Sequence, residues 1–97
     1  MKVISKARIV EFSKEYPDSS SSLTTWYSIV SKTVFESFAD LKKTFPSADL
    51  VGNLTVFNIG WNKYRLIAAI HYNRKMVFIR NILTHSEYNK NKWRNDK

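Results

Sequence analysis

Ninety-seven residues, 43% of them hydrophobic, can supply one core but not two, because a second would not offset the entropy of ordering its own backbone. The absence of cysteine excludes a disulfide frame and a thiolate metal site, so apolar packing must carry the fold, as suits a reducing cytoplasm. The net charge of +8 is unevenly spread: residues 1–50 hold seven basic and six acidic residues, whereas residues 51–97 hold nine and two, a surplus of +7 that attracts polyanions, nucleic acid first among them, or an acidic protein. No stretch approaches the ~20 apolar residues that span a bilayer, and the N-terminus lacks a cleavable leader pattern, so a soluble cytoplasmic protein without a membrane partner is expected.

In chain order, residues 2–5 read as a short strand. Ala7, Ile9, Val10 and Phe12 then predict a helix through about Glu15, ended by Tyr16-Pro17-Asp18. The serine run 19–22 reads as a loop with N-cap candidates, and Leu23, Trp26, Tyr27, Val30 and Val34 recur at helical spacing after it. Residues 35–45 continue in a similar rhythm through Phe38, Leu41 and Phe45, with Lys42 and Lys43 facing away, until Pro46. The period then changes. Residues 54–59, 64–72 and 76–83 are rich in β-branched and aromatic side chains and are separated by Gly60-Trp61-Asn62 and Asn73-Arg74-Lys75, which predicts a three-stranded antiparallel meander. Residues 84–97 begin a short helix capped by Thr84 and then fray. The class expected is α+β, one domain over residues 1–97: N-terminal helices on one face of a small antiparallel sheet, the other face free for a ligand, and a short C-terminal helix.

A two-residue turn at Asn73-Arg74 sets Tyr72 against Lys75, Ile67 against Arg80 and Arg65 against Ile82. Arg65 and Arg80 then lie diagonally on one face, with Ala69 and Phe78, and with His71 and Met76. A three-residue turn sends Arg80 to the opposite face. Two arginines, Lys63, a histidine and a tyrosine suit RNA cleavage without metal or cofactor: a 2′-hydroxyl must lose its proton as it attacks, the phosphate charge must be neutralised, and the leaving 5′-oxygen must be protonated. Arginine offers phosphate a fixed fork, and histidine titrates near neutrality. A metal-dependent nuclease lacks material, since only Glu87 and Asp96 are acidic in the basic half.

Each residue also has a plainer reading. Arg65 can be a solvated strand residue, Arg80 the partner of a helix acid, and His71 a structural residue within the strand. His85 differs, because it follows Thr84 in a polar segment where its ring can reach substrate, and Tyr88 three residues on shares its side of a helical turn. Trp26, Tyr27, Phe35 and Phe38 belong to the core, while Trp61 at a turn tip can stack on a base.

The run from Val56 to Ala68 (VFNIGWNKYRLIA), with Ile70-His71-Tyr72-Asn73-Arg74, Val77-Phe78-Ile79-Arg80 and Leu83-Thr84-His85-Ser86-Glu87-Tyr88, resembles the HigB family of type II toxin–antitoxin systems. Trp26-Tyr27, Phe38-Ala39-Asp40-Leu41 and residues 44–49 agree, so the resemblance covers most of the chain. It implies a RelE-like fold, an endoribonuclease that cuts mRNA in the ribosomal decoding site, and a hetero-oligomer with a HigA-like antitoxin carrying a helix-turn-helix. It also implies a strand arginine, matched by Arg65, and a histidine and tyrosine near the C-terminus, matched by His85 and Tyr88, with Lys63 and Arg80 as further catalytic candidates. Asn58, Trp61, Arg74, Lys75, Lys90 and Lys92 are the RNA-binding candidates. Trp61 stands where relatives usually have glycine, and Asn89 where aspartate is common. Two other classes stay open on the residues alone: an inert RNA- or ribosome-binding module, and a protein-interaction domain that docks an acidic partner.

Overall fold

The computed structural model describes residues 1–90 and residue 93. Strand β1 (Lys2–Ile4) leads through Ser5, in the left-handed region at φ 75°, into helix α1 (Lys6–Glu15). A 3-10 turn at Pro17–Ser19 connects to α2 (Ser20–Lys32), which buries Leu23, Trp26 and Val30, the apolar stripe visible in the sequence. The serine run is a departure from the expected loop. Ser20, Ser21 and Ser22 form the first turn of α2, and the hydroxyl of buried Ser19 donates to the Tyr16 carbonyl at 2.7 Å instead of capping the helix.

The next helix is shorter than its rhythm suggested. α3 spans only Phe38–Thr44, because extended Ser37 starts it by accepting the Asp40 N–H at 3.1 Å, and Phe35 is buried from the link before it. Strand β2 (Asp49–Val51) was not expected at all. It pairs antiparallel with β3 (Leu54–Ile59) across Gly52-Asn53, Gly52 taking φ 60°, and three residues are too few to show a period. β4 (Tyr64–His71), β5 (Met76–Thr84) and helix α4 (His85–Asn89) complete the chain.

One sheet in the order β1-β5-β4-β3-β2 results, with the expected meander β3-β4-β5 and with β4 at its centre. The sheet is mixed, not wholly antiparallel: β1 runs parallel to β5, with Val3 opposite Val77, a pairing across more than 70 residues that no local pattern announces. On one face the helices cover Phe57, Ile59, Leu66, Ala68, Val77 and Ile79, and Phe57 meets Trp26 and Phe45 edge-on, with ring centroids 5.4 and 5.1 Å apart. The other face carries a smaller apolar cluster of Val56, Ile67 and Trp93, bordered by Leu54, Leu83 and Tyr88. Beyond residue 90 only Trp93 is described, and it is buried, 5% exposed, so the expected fraying does not hold at that residue, while residues 91–92 and 94–97 lie outside the described residues. Among the described residues no helix is long and apolar enough to cross a membrane.

The β4–β5 register follows the expected one from His71 opposite Met76 to Ala68 opposite Ile79 and then shifts, Ile67 facing Asn81 and Arg65 facing Leu83. Arg80 is the extra residue of a β-bulge. The diagonal pairing of Arg65 with Arg80 is thereby lost, because one inserted residue displaces everything beyond it.

Candidate active site

The β3–β4 turn and α4 meet at the end of the sheet where β4 begins. Gly60, Trp61 and Asn62 all take positive φ (60°, 56° and 70°), a tight reversal that places Lys63 N–H on the Gly60 carbonyl at 3.2 Å. Trp61 is 99% exposed, an aromatic side chain in a conformation that normally favours glycine.

Arg65, the second residue of β4, is held on several sides. Its Nη1 donates to the carbonyls of Asn62 (3.0 Å) and Tyr64 (3.2 Å), its Nη2 lies 3.3 Å from Nδ1 of His85, and its guanidinium carbon stands 5.3 Å from the centroid of the Tyr88 ring. A guanidinium only donates, so Nδ1 accepts and the neutral ring carries its proton on Nε2. His85 is exposed and opens α4, whose start is set by a capping box: Thr84 Oγ1 accepts the Glu87 N–H, and Glu87 Oε1 accepts the Thr84 N–H. The His85 N–H in turn donates to the Lys63 carbonyl at 2.9 Å, tying the helix to the turn. Tyr88 follows one helical turn later. Its ring also stacks on Trp93 at 5.1 Å and 13°, and Trp93 Nε1 donates to the Tyr88 carbonyl.

Lys63 Nζ and the Tyr64 hydroxyl converge on one carboxylate, that of Asp18, at 3.3 and 2.6 Å. The bond from Tyr64, and then that from Lys63, hold the Asp18 carboxyl below the usual carboxylate range, and the same bond together with burial pushes the Tyr64 hydroxyl up to about 12. Among the described residues no group of three His, Asp or Glu side chains is placed to hold a metal ion.

Residues 19–91 match the HigB toxin family, described as the RelE-like toxic component of a toxin-antitoxin system. This chain belongs to that family. It is 31% identical over 93 residues to the mRNA interferase HigB of an Escherichia coli O6:H1 strain, covering 93% of this chain and 90% of that protein. To the mRNA interferase HigB of Shigella flexneri it is 30% identical over 91 residues, covering 91% and 88%.

Of the HigB-like candidates in the sequence, Arg65, His85 and Tyr88 come together in direct contact, and Lys63 joins them through its carbonyl. Asn58 is exposed on β3 opposite Arg65, and Trp61 lies in the same turn as Lys63. Arg80 stands apart. It is three residues along β5 from Leu83, the partner of Arg65, about 10 Å at strand rise. Arg74 and Lys75 sit on the β4–β5 turn, at the opposite end of β4 from Arg65. Lys90 is exposed just beyond α4, and Lys92 lies outside the described residues. Sequence reasoning missed Asp18, with no local signal, and Trp93, hidden in a polar tail. Glu87 was readable, as the residue three after a capping threonine.

Proposed function

We propose that this chain, acting as one toxin domain, is the toxin of a type II toxin–antitoxin pair and a metal-independent endoribonuclease that cuts messenger RNA on the ribosome and so stops translation. The single observation that carries this reading is the Arg65–His85–Tyr88 cluster at the end of β4, in the half of the chain with the +7 surplus. The relatives' names, mRNA interferase, support the substrate.

In the proposed reaction the 2′-oxygen of the RNA bonds to phosphorus as its proton leaves to a base, the bond from phosphorus to the 5′-oxygen breaks, and that oxygen takes a proton. A cyclic phosphate and a 5′-hydroxyl remain. Arg65 meets the two charged phosphate oxygens with its planar fork, and Lys63 and Arg80 add positive charge. As Arg65 turns its fork to the phosphate it releases Nδ1 of His85, which takes up a proton, and the resulting imidazolium supplies the proton to the 5′-oxygen from Nε2 and returns to the neutral ring. Tyr88, beside the guanidinium and stacked on Trp93, orients Arg65 and the substrate. Asn58, Trp61, Arg74, Lys75, Lys90 and Lys92 bind the RNA strand beyond the cut. The partner is a HigA-like helix-turn-helix antitoxin that forms a hetero-oligomer with the toxin in the cytoplasm.

Expression is expected to arrest growth, and co-expression of the helix-turn-helix protein from the neighbouring reading frame to relieve it. Arg65→Ala should abolish arrest at an unchanged melting temperature. Purified protein treated beforehand with EDTA and freed of the chelator should cut mRNA on programmed ribosomes as fast as untreated protein, and added transition-metal ions should not raise the rate. Arrest that survives Arg65→Ala would instead favour a binding module without catalysis.

A further inference from the structure

Asp18 lies in the 3-10 turn between α1 and α2, yet both oxygens of its carboxylate reach across to the start of β4. They are engaged unequally. Oδ1 accepts the hydroxyl of Tyr64 at 2.6 Å, and the Tyr64 ring is buried against Phe12 and Tyr16. Oδ2 meets Lys63 Nζ at 3.3 Å in an ion pair whose two side chains are 67% and 53% exposed. Lys63 and Tyr64 immediately precede Arg65. The Tyr64 carbonyl accepts from the Arg65 guanidinium, and the Lys63 carbonyl accepts from the His85 backbone. One carboxylate thus grips the segment from which the Arg65–His85 cluster is built.

We propose that Asp18 is a positioning residue of this site, with a permanent bond to Tyr64 and an exchangeable one to Lys63, so that RNA phosphate takes Lys63 over from Asp18 on binding. The proposal rests on the reading of Arg65 and His85 given above. The part-buried hydroxyl of Tyr64, bonded at 2.6 Å beneath a buried ring, gives up its acceptor at greater cost than the exposed lysine does. The exposed ion pair holds weakly and competes with a phosphate chain whose counterions are released on binding. A lysine suits the exchange, being a flexible point charge where an arginine fork would lock onto the carboxylate. Before RNA arrives, Asp18 masks one cation and adds a negative charge beside the phosphate site.

The test measures binding of a labelled single-stranded RNA oligonucleotide by anisotropy and single-turnover cleavage on programmed ribosomes. Asp18→Asn keeps an acceptor for Tyr64 and removes the charge that competes for Lys63, so affinity should rise about 1.5- to 5-fold, the range that exposed ion pairs produce. The gain should vanish in the double variant with Lys63→Gln. Asp18→Ala removes the acceptor as well and should lower the saturating rate at which bound RNA is cut, and Tyr64→Phe should lower that rate with no gain in affinity. Unchanged affinity in Asp18→Asn overturns the exchange, whether or not the variant melts earlier, as does a gain that persists with Lys63→Gln. Arg65→Ala is assayed alongside. If it cuts like the wild type, the active-site reading itself has failed, whereas an inactive Arg65→Ala beside an indifferent Asp18→Asn rejects the exchange alone.

Discussion

Arg65 is constrained by two backbone carbonyls, an imidazole nitrogen and an aromatic ring, so its guanidinium is oriented before any phosphate arrives. Arg65→Lys retains the charge without the planar fork. It is expected to bind RNA at near-normal affinity and to cut it far more slowly. His85→Ala should lose about 10²–10⁴-fold in single-turnover rate, the usual worth of a positioned acid, while its melting curve and RNA affinity stay close to wild type. Near-normal cleavage by His85→Ala would reject its role as the acid. Tyr64 gives a pH test. Its hydroxyl is held neutral in the folded chain, so its contribution to stability is complete below the ordinary value of 10.0 and is lost as pH rises through about 12. Asp18 works in the opposite sense: its contribution is present above the usual carboxylate value and is lost as pH falls through the lowered one. Ultraviolet titration should show one tyrosine ionising at about 12 that moves down in Asp18→Ala. Arg65, His85 and Tyr88 were named as candidates through the resemblance, with residue type and position agreeing for His85 and Tyr88, whereas Asp18 was not legible, since its bonds close loops of 45 and 46 residues.

Two short elements decide where these side chains point. Five-residue α4 is too short to be stable by itself and relies on the Thr84–Glu87 capping box and on Trp93, which props Tyr88 from behind. The turn at residues 60–62 is braced by the Lys63 N–H on the Gly60 carbonyl and by the Arg65 guanidinium on the Asn62 carbonyl, yet Trp61 at φ 56° stores backbone strain of roughly 1–2 kcal/mol while its ring stands in solvent. An exposed aromatic kept at that cost fits a surface that stacks on a base. Trp61→Gly is accordingly expected to raise the melting temperature and weaken RNA binding together. A variant that gains stability with undiminished affinity would show that the ring has no contact with RNA. The sequence exposed this turn as irregular, because tryptophan occupied a position where the resemblance led one to expect glycine. It did not show the three successive left-handed residues.

At the scale of the whole molecule, the helices and the +7 half are divided between purposes. α1, α2 and α3 pack against one face of the sheet, leaving the end of β4 open beside α4. Binding of single-stranded RNA should therefore weaken steeply with salt, and Lys63→Gln should reduce the log–log slope by about 0.7, one phosphate contact. Affinity indifferent to salt would contradict a phosphate-led interface. The sequence by itself determined the α+β class, the apolar stripe of α2, the meander of β3, β4 and β5, and the types of residue at the site, because helical spacing, alternation and side-chain chemistry are local properties. It also pointed to the family, which the match over residues 19–91 shows. Tertiary structure alone decided the parallel seat of β1 on β5, the bulge that carries Arg80 away from its expected place, the stacking of Trp93 on Tyr88 and the reach of Asp18 to β4. Apart from Trp93, which settles only when the sheet face beneath it exists, each joins or shifts segments far apart in the chain. Such choices are made by which surfaces are buried when the chain closes, and no window of neighbouring residues contains them.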